Sequence, residues 1–123
     1  MPIASSAVSI SAAHADAFYA ESSDAGEVWT VRDDSGFPAP ETADGVRAMP
    51  FWSKRSRAER VVSGVPAYAG FKVVAVPLDV FRQRWLPGLA RDGLLVGLNW
   101  SGDQATGYDV DPGGVEAAFT ARG

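Results

Sequence analysis

Cysteine is absent from this chain, and histidine occurs once, at His14. The first absence excludes a disulfide framework, a thiolate nucleophile, an iron–sulfur cluster and a cysteine-ligated zinc site. The second excludes a multi-histidine metal cage within one chain. Long apolar runs are also lacking. The longest, Val73–Val76 and Leu94–Leu98, fall far short of the roughly 20 residues that a membrane-spanning helix needs. No secretory signal is visible, because Met1–Ser5 carries no basic side chain and Ala12–Ala20 is interrupted by His14 and Asp16. These absences point to a cytoplasmic protein with no membrane partner.

What is present describes a folded domain. Of 123 residues, 46% are hydrophobic and 11% aromatic, a balance that belongs to globular rather than disordered chains. The length suits one domain, here residues 9–123 behind a frayed segment 1–8 of small and polar residues. A net charge of -4 argues against nucleic acid as a partner, since phosphate binding calls for a basic surface.

Hydrophobic periodicity places the elements. Ile10, Ala13, His14, Ala17 and Phe18 share a helical face, with Ser9 or Ser11 as cap. Glu27–Arg32 is rich in β-branched and aromatic residues and reads as a strand, followed by the turn Asp33–Gly36. Val46–Trp52 reads as a short strand in which Pro50 marks an edge, an end or a bulge. Ser53 then stands where an N-cap belongs, ahead of a helix with Ala58, Val61 and Val62 inward and Gly64 at its end. Phe71–Val76 is a strong strand. Asp79 can cap a third helix carrying Phe81, Trp85 and Leu86, which Pro87-Gly88 should end or kink. Leu94–Trp100 is apolar on both faces, as a central strand is, and Thr106–Val110 pairs as the last strand. Asp111 caps the final helix, with Pro112 at its first position. The order α-β-β-α-β-α-β-β-α predicts a single α+β domain, a mixed β-sheet with helices packed on it.

Gly26–Trp29, Asp33–Gly36, Met49–Ser53, Pro77–Phe81 and above all Trp85–Gly93 resemble, in order and spacing, the bacterial family catalogued as domain of unknown function 2750. The step Pro50-Phe51-Trp52-Ser53 into a charged helix is also similar, at fold level, to the N-terminal module of SseB-type proteins. The first resemblance implies a small bacterial cytoplasmic α+β domain. It implies no reaction and carries no catalytic residues onto this chain.

A search for catalytic constellations returns negatives: no nucleophile elbow, no Walker loop and no dinucleotide fingerprint. His14 sits on or beside an apolar face, where a packed structural histidine is the expectation. Asp33-Asp34-Ser35-Gly36 lacks the alternating carboxylates and distal Glu of a calcium loop. In Asp109-x-Asp111, the second carboxylate is expected as the helix cap. No catalytic residue, cofactor or metal is therefore expected.

The charge is distributed in blocks. Residues 1–50 hold eight acids and two bases, residues 51–100 eight bases and three acids, and residues 101–123 one base and four acids. The basic block centres on Lys54, Arg55, Arg57 and Arg60. Lys54 and Arg55 fall in the first turn of a helix, where cations oppose the macrodipole, and Arg55 and Glu59 can pair at i,i+4. In the first reading the acidic loop with Asp33, Asp34, Glu41 and Asp44 folds against this helix and neutralises it. In the second, Ser53, Lys54, Arg55 and Arg57, with Trp52 beside them, form a site for an anion or an acidic partner. Core burial is the expectation for Trp29, Trp85 and Trp100, and also for Trp52 over a role as surface anchor. The function expected is a non-catalytic interaction module, immunity- or adaptor-like, docking on a protein partner through charge complementarity. The alternative is a small-anion-binding or minor enzymatic domain at Ser53–Arg57. A homodimer through an exposed Val46–Trp52 edge is a third reading.

Overall fold

The computed structural model describes residues 5–122 apart from residue 43, with the side chains of the first helix described from Ala13 onward. The first helix begins at Ser5, so Ser9 and Ser11, expected as its cap, lie within it; the apolar position Ile10 and segment 1–4 of the expected frayed end lie outside the described side chains or residues. The elements follow the expected order: α1 (Ser5–Ala25), β1 (Glu27–Arg32), β2 (Ala48–Phe51), α2 (Arg55–Gly64), β3 (Lys72–Pro77), α3 (residues 78–91), β4 (Leu95–Ser101), β5 (Thr106–Val110) and α4 (Pro112–Arg122). A 3-10 turn, Pro66–Tyr68, joins α2 to β3. No described helix is long and apolar enough to cross a membrane.

The strands form two sheets rather than one, and Pro50 explains the seam. β1 pairs antiparallel with β3, while β2 runs parallel to β4, which pairs antiparallel with β5. Between the two sheets, Trp29 and Trp52 exchange both backbone hydrogen bonds at 2.7 Å. The next hydrogen-bonded pair along such a ladder would join Val31 to Pro50, and proline has no N–H to donate. The Thr30 hydroxyl donates instead to the Pro50 carbonyl at 2.9 Å. One bridge therefore stands where a continuous five-stranded sheet would have formed. β2 is enclosed between β4 and β1, which removes the exposed edge expected there for a homodimer.

Strand alternation sorts the apolar side chains onto two faces. On one, Phe18, Val28, Phe51, Val96, Leu98 and Phe119 pack with α1, α3 and α4. On the other, Val31, Ala48, Trp52, Val61, Tyr68 and Trp100 pack with α2. Arg82 clamps α3 to α4 through both oxygens of Glu116, at 2.9 and 2.7 Å, and lies over the Phe119 ring.

One cap assignment and one helix end need correction. Pro77, not Asp79, is the N-cap of α3. Asp79 lies in the first turn, where its carboxylate accepts the Val80 N–H. Of the end or kink expected at Pro87-Gly88, the end is not seen, since α3 runs on to Arg91. A π segment, Phe81–Trp85, precedes it, with the Leu86 N–H reaching the Phe81 carbonyl. That widened turn admits a proline ring that would otherwise strike the carbonyl four residues back. Asp111 does cap α4: its carboxylate accepts the Gly114 N–H at 3.3 Å, and Pro112 opens the helix.

Candidate functional site

The N-terminus of α2 gathers the residues singled out by charge. Lys54, not Ser53, is its N-cap, and no side chain caps it. Ser53 is 1% exposed and is turned inward. Its N–H donates to Asn99 Oδ1 at 2.9 Å, and its hydroxyl donates to Glu21 of α1 at 2.5 Å. Arg57 holds the same Glu21 with two parallel bonds of 3.1 and 3.0 Å, and Lys54 approaches it at 3.9 Å. The Asn99 amide in turn donates to the His14 carbonyl. This knot ties α1, the start of α2 and β4 together. The bidentate Arg57 bonds, above all, hold the Glu21 carboxyl below its usual range, against the opposing effect of burial.

The acid that neutralises the basic helix is therefore Glu21, not the loop carrying Asp33, Asp34, Glu41 and Asp44. In that turn, Asp33 accepts the Ser35 N–H. Arg55 makes its expected pair with Glu59 at 2.8 Å and lies over the Trp29 ring, 5.8 Å from its centroid. The tryptophan beside the helix is thus Trp29. Trp52 is fully buried, its indole N–H donating to the Trp100 carbonyl at 2.8 Å. Of the five residues considered for an anion or partner site, Lys54 and Arg55 are exposed, Arg57 is half-buried, and Trp52 and Ser53 present no surface.

A second region, which charge counting did not single out, has the shape of a binding site. A cavity of about 550 Å³ opens between the loop 38–42, the Tyr68–Phe71 corner and the β4–β5 hairpin, within the size range of small-molecule pockets. Trp100 reaches it through a backbone irregularity. Val96 and Leu98 face α1, α3 and α4, and simple alternation would send Trp100 the same way. Between Leu98 and Ser101 the pairing with β5 slips, and Asn99 adopts φ 50°. The extra residue turns Trp100 to the opposite face. A left-handed asparagine is tolerated more readily than most residues, and here its side chain is fixed by Ser53 and the His14 carbonyl. The knot at α2 thus holds the bulge that delivers Trp100.

Glycines make the bed for the indole. A Cβ at Gly97 would stand only 2.3 Å from the Trp100 ring, a severe clash, and one at Gly107 would stand 3.0 Å from its Cδ1. The indole N–H donates to Asp109 Oδ1 at 2.8 Å. Burial, the largest influence, pushes the Asp109 carboxyl above its usual range; the Trp100 bond opposes this and the nearby Asp44 charge reinforces it. Among the described residues no ion pair involves Asp109. Burial likewise raises the Tyr68 hydroxyl. Arg47, the one basic residue on the wall among the described residues, donates to the Ala39 carbonyl at 2.9 Å and so braces the loop. The signal available in the sequence was the pair of glycines inside strands, Gly97 and Gly107, which mark close approach.

No curated protein matches the chain. The profile of one family, described as "Protein of unknown function (DUF2750)", matches residues 15–119. That span runs from α1 to α4 and covers most of the chain, so the chain belongs to the DUF2750 family.

Proposed function

We propose that this protein is a non-catalytic recognition module, immunity- or adaptor-like, which engages its partner at the cavity walled by Trp100, Tyr68 and Phe71. The observation that carries this reading is a half-buried carboxylate, Asp109, held at an aromatic cavity by an indole N–H and, among the described residues, in no ion pair. Aromatic walls with a few fixed polar groups are the composition of binding sites. The polar side chains on the wall are Glu41, Thr42, Arg47, Tyr68, Gln104, Thr106 and Asp109, besides the Trp100 indole.

The alternative of a small-anion site at Ser53–Arg57 draws less support. The Ser53 N–H and hydroxyl are engaged, and Arg57 and Lys54 share Glu21. The exposed faces of Lys54 and Arg55 still offer long-range attraction to an acidic surface, consistent with docking by charge.

The test is a competition between the two regions. Proteins encoded beside this one are tested for stoichiometric binding, with Thr106→Arg at the cavity rim and with Arg55→Glu on α2. Both positions are exposed, so neither change should unfold the chain. The expected outcome is binding abolished by the first and reduced only at low salt by the second. Binding that survives Thr106→Arg and fails with Arg55→Glu would return the site to α2.

A further inference from the structure

The chemistry of the cavity specifies what it takes, granted the reading above that the cavity is the recognition site. We propose that its occupant is a lysine or arginine side chain presented by a partner protein.

Three features converge on a cation carried by an aliphatic stem. The first is charge. Glu41 and Asp109 lie on the wall, and Asp44 stands close enough to act on Asp109. Against them stands Arg47, already bonded to the Ala39 carbonyl. The wall therefore carries a net negative charge. An incoming ammonium or guanidinium would supply what Asp109 lacks, since a partly buried carboxylate gains more from a cation than an exposed one does. The second is the aromatic lining. Trp100, Tyr68 and Phe71 face one space, and tryptophan is the strongest of the aromatic partners for a cation. Tyr68 and Phe71 already meet edge to face, with ring centroids 5.5 Å apart, so part of that lining is fixed in advance. The third is the opposite wall, where Pro38, Ala39 and Pro40 offer hydrocarbon along which methylene groups can lie.

The chain supplies an internal comparison. At α2 a carboxylate of the same kind, Glu21, is already satisfied by Arg57 and Lys54. At the cavity, Asp109 is positioned by an indole N–H and its charge is unmatched. The first carboxylate closes the fold on itself. The second needs a cation from outside.

The experiment is a titration followed by two-dimensional amide NMR, with the Trp100 indole N–H as the reporting resonance. Three tripeptide amides differ only at the central residue: lysine, norleucine or glutamate. The lysine peptide is expected to shift Trp100, Thr106, Gly107 and Asp109 with a Kd on the order of 1 mM, and norleucine to bind at least about tenfold more weakly. Asp109→Asn retains an acceptor for the indole and should remove the lysine preference. Should that variant misfold, Glu41→Gln, on an exposed side chain, should weaken lysine binding by roughly threefold. Norleucine binding at the cavity as tightly as lysine would overturn the cation proposal while leaving the cavity as the recognition site. Shifts confined to α2, or none with any peptide, would overturn both. Concentration-dependent shifts at Trp100 without added peptide would assign the cavity to a second copy of the chain and likewise overturn the proposal.

Discussion

Two carboxylates divide this molecule. Glu21 sits under the basic helix, where Arg57, Lys54 and the Ser53 hydroxyl converge on it, and its affinity for a proton is lowered. Asp109 sits at the cavity, with one neutral donor and no cation, and its affinity for a proton is raised. The first region looks functional by charge density, yet its charges are largely matched within the fold. The second is modest in charge, yet its half-buried carboxylate has a neutral indole donor and, among the described residues, no ion pair. The lesson is that an unmatched group is a better guide to a site than a concentrated one.

The sharpest way to break the comparison is to cut the link between the two regions. Asn99 receives the Ser53 N–H, donates to the His14 carbonyl and occupies a left-handed backbone position. Asn99→Ala should cost about 3 kcal/mol, from unsatisfied buried groups and an unfavourable φ. It should also broaden the Trp100 indole resonance. Urea denaturation with NMR checks both, and a stability loss below about 1 kcal/mol would mean that the knot does not hold the bulge.

Next in size is Gly97→Ala, whose Cβ would displace the Trp100 ring. An overpacking cost of about 1–3 kcal/mol is expected, with a change in tryptophan fluorescence as the indole shifts.

Glu21→Gln and Asp109→Asn should then move stability in opposite directions with pH. Because the folded state lowers the Glu21 pKa, its contribution is present above the unfolded value of 4.5 and is lost as pH falls through the folded value. Glu21→Gln should cost about 1 kcal/mol at pH 7, given its partial exposure, and should flatten the acid limb. Asp109 has the reverse sign. Its raised pKa favours folding fully below the unfolded value of 3.8, a gain lost as pH rises through the folded value. Ionised Asp109 is therefore a cost at pH 7, and Asp109→Asn should leave the melting temperature unchanged or higher. Thermal melts from pH 3 to pH 7 check both signs. A marked destabilisation by Asp109→Asn at neutral pH would erase the contrast.

Smallest is Arg55→Ala. Its pair with Glu59 is exposed on both sides, so a loss under about 0.5 kcal/mol is expected from chemical denaturation.

Much of this was legible from local pattern. The element order, the Asp111 cap with Pro112 behind it and the Arg55–Glu59 pair follow from spacings of one to four residues. Pro50 was read as an edge, an end or a bulge. Its consequence, a sheet divided at a single Trp29–Trp52 bridge, depends on which strand lies across from it. Ser53 has the chemistry of an N-cap and stands next to one. It was drawn inward because Glu21 and Asn99, 32 and 46 residues away, compete for it. Trp100 was rightly expected in the core, but the side of the sheet it occupies was not readable, since one bulged residue reverses strand parity.

By itself the sequence determined the class of molecule. With alternating helical and strand periodicities, it specified an α+β domain. Those are local or additive properties, and composition and spacing suffice for them. Only the tertiary structure decided which charges meet. Matching a carboxylate depends on distances of a few ångströms between residues far apart in the chain, and solvation depends on what covers them. That is why Glu21 became an internal clasp and Asp109 was left to face a cavity.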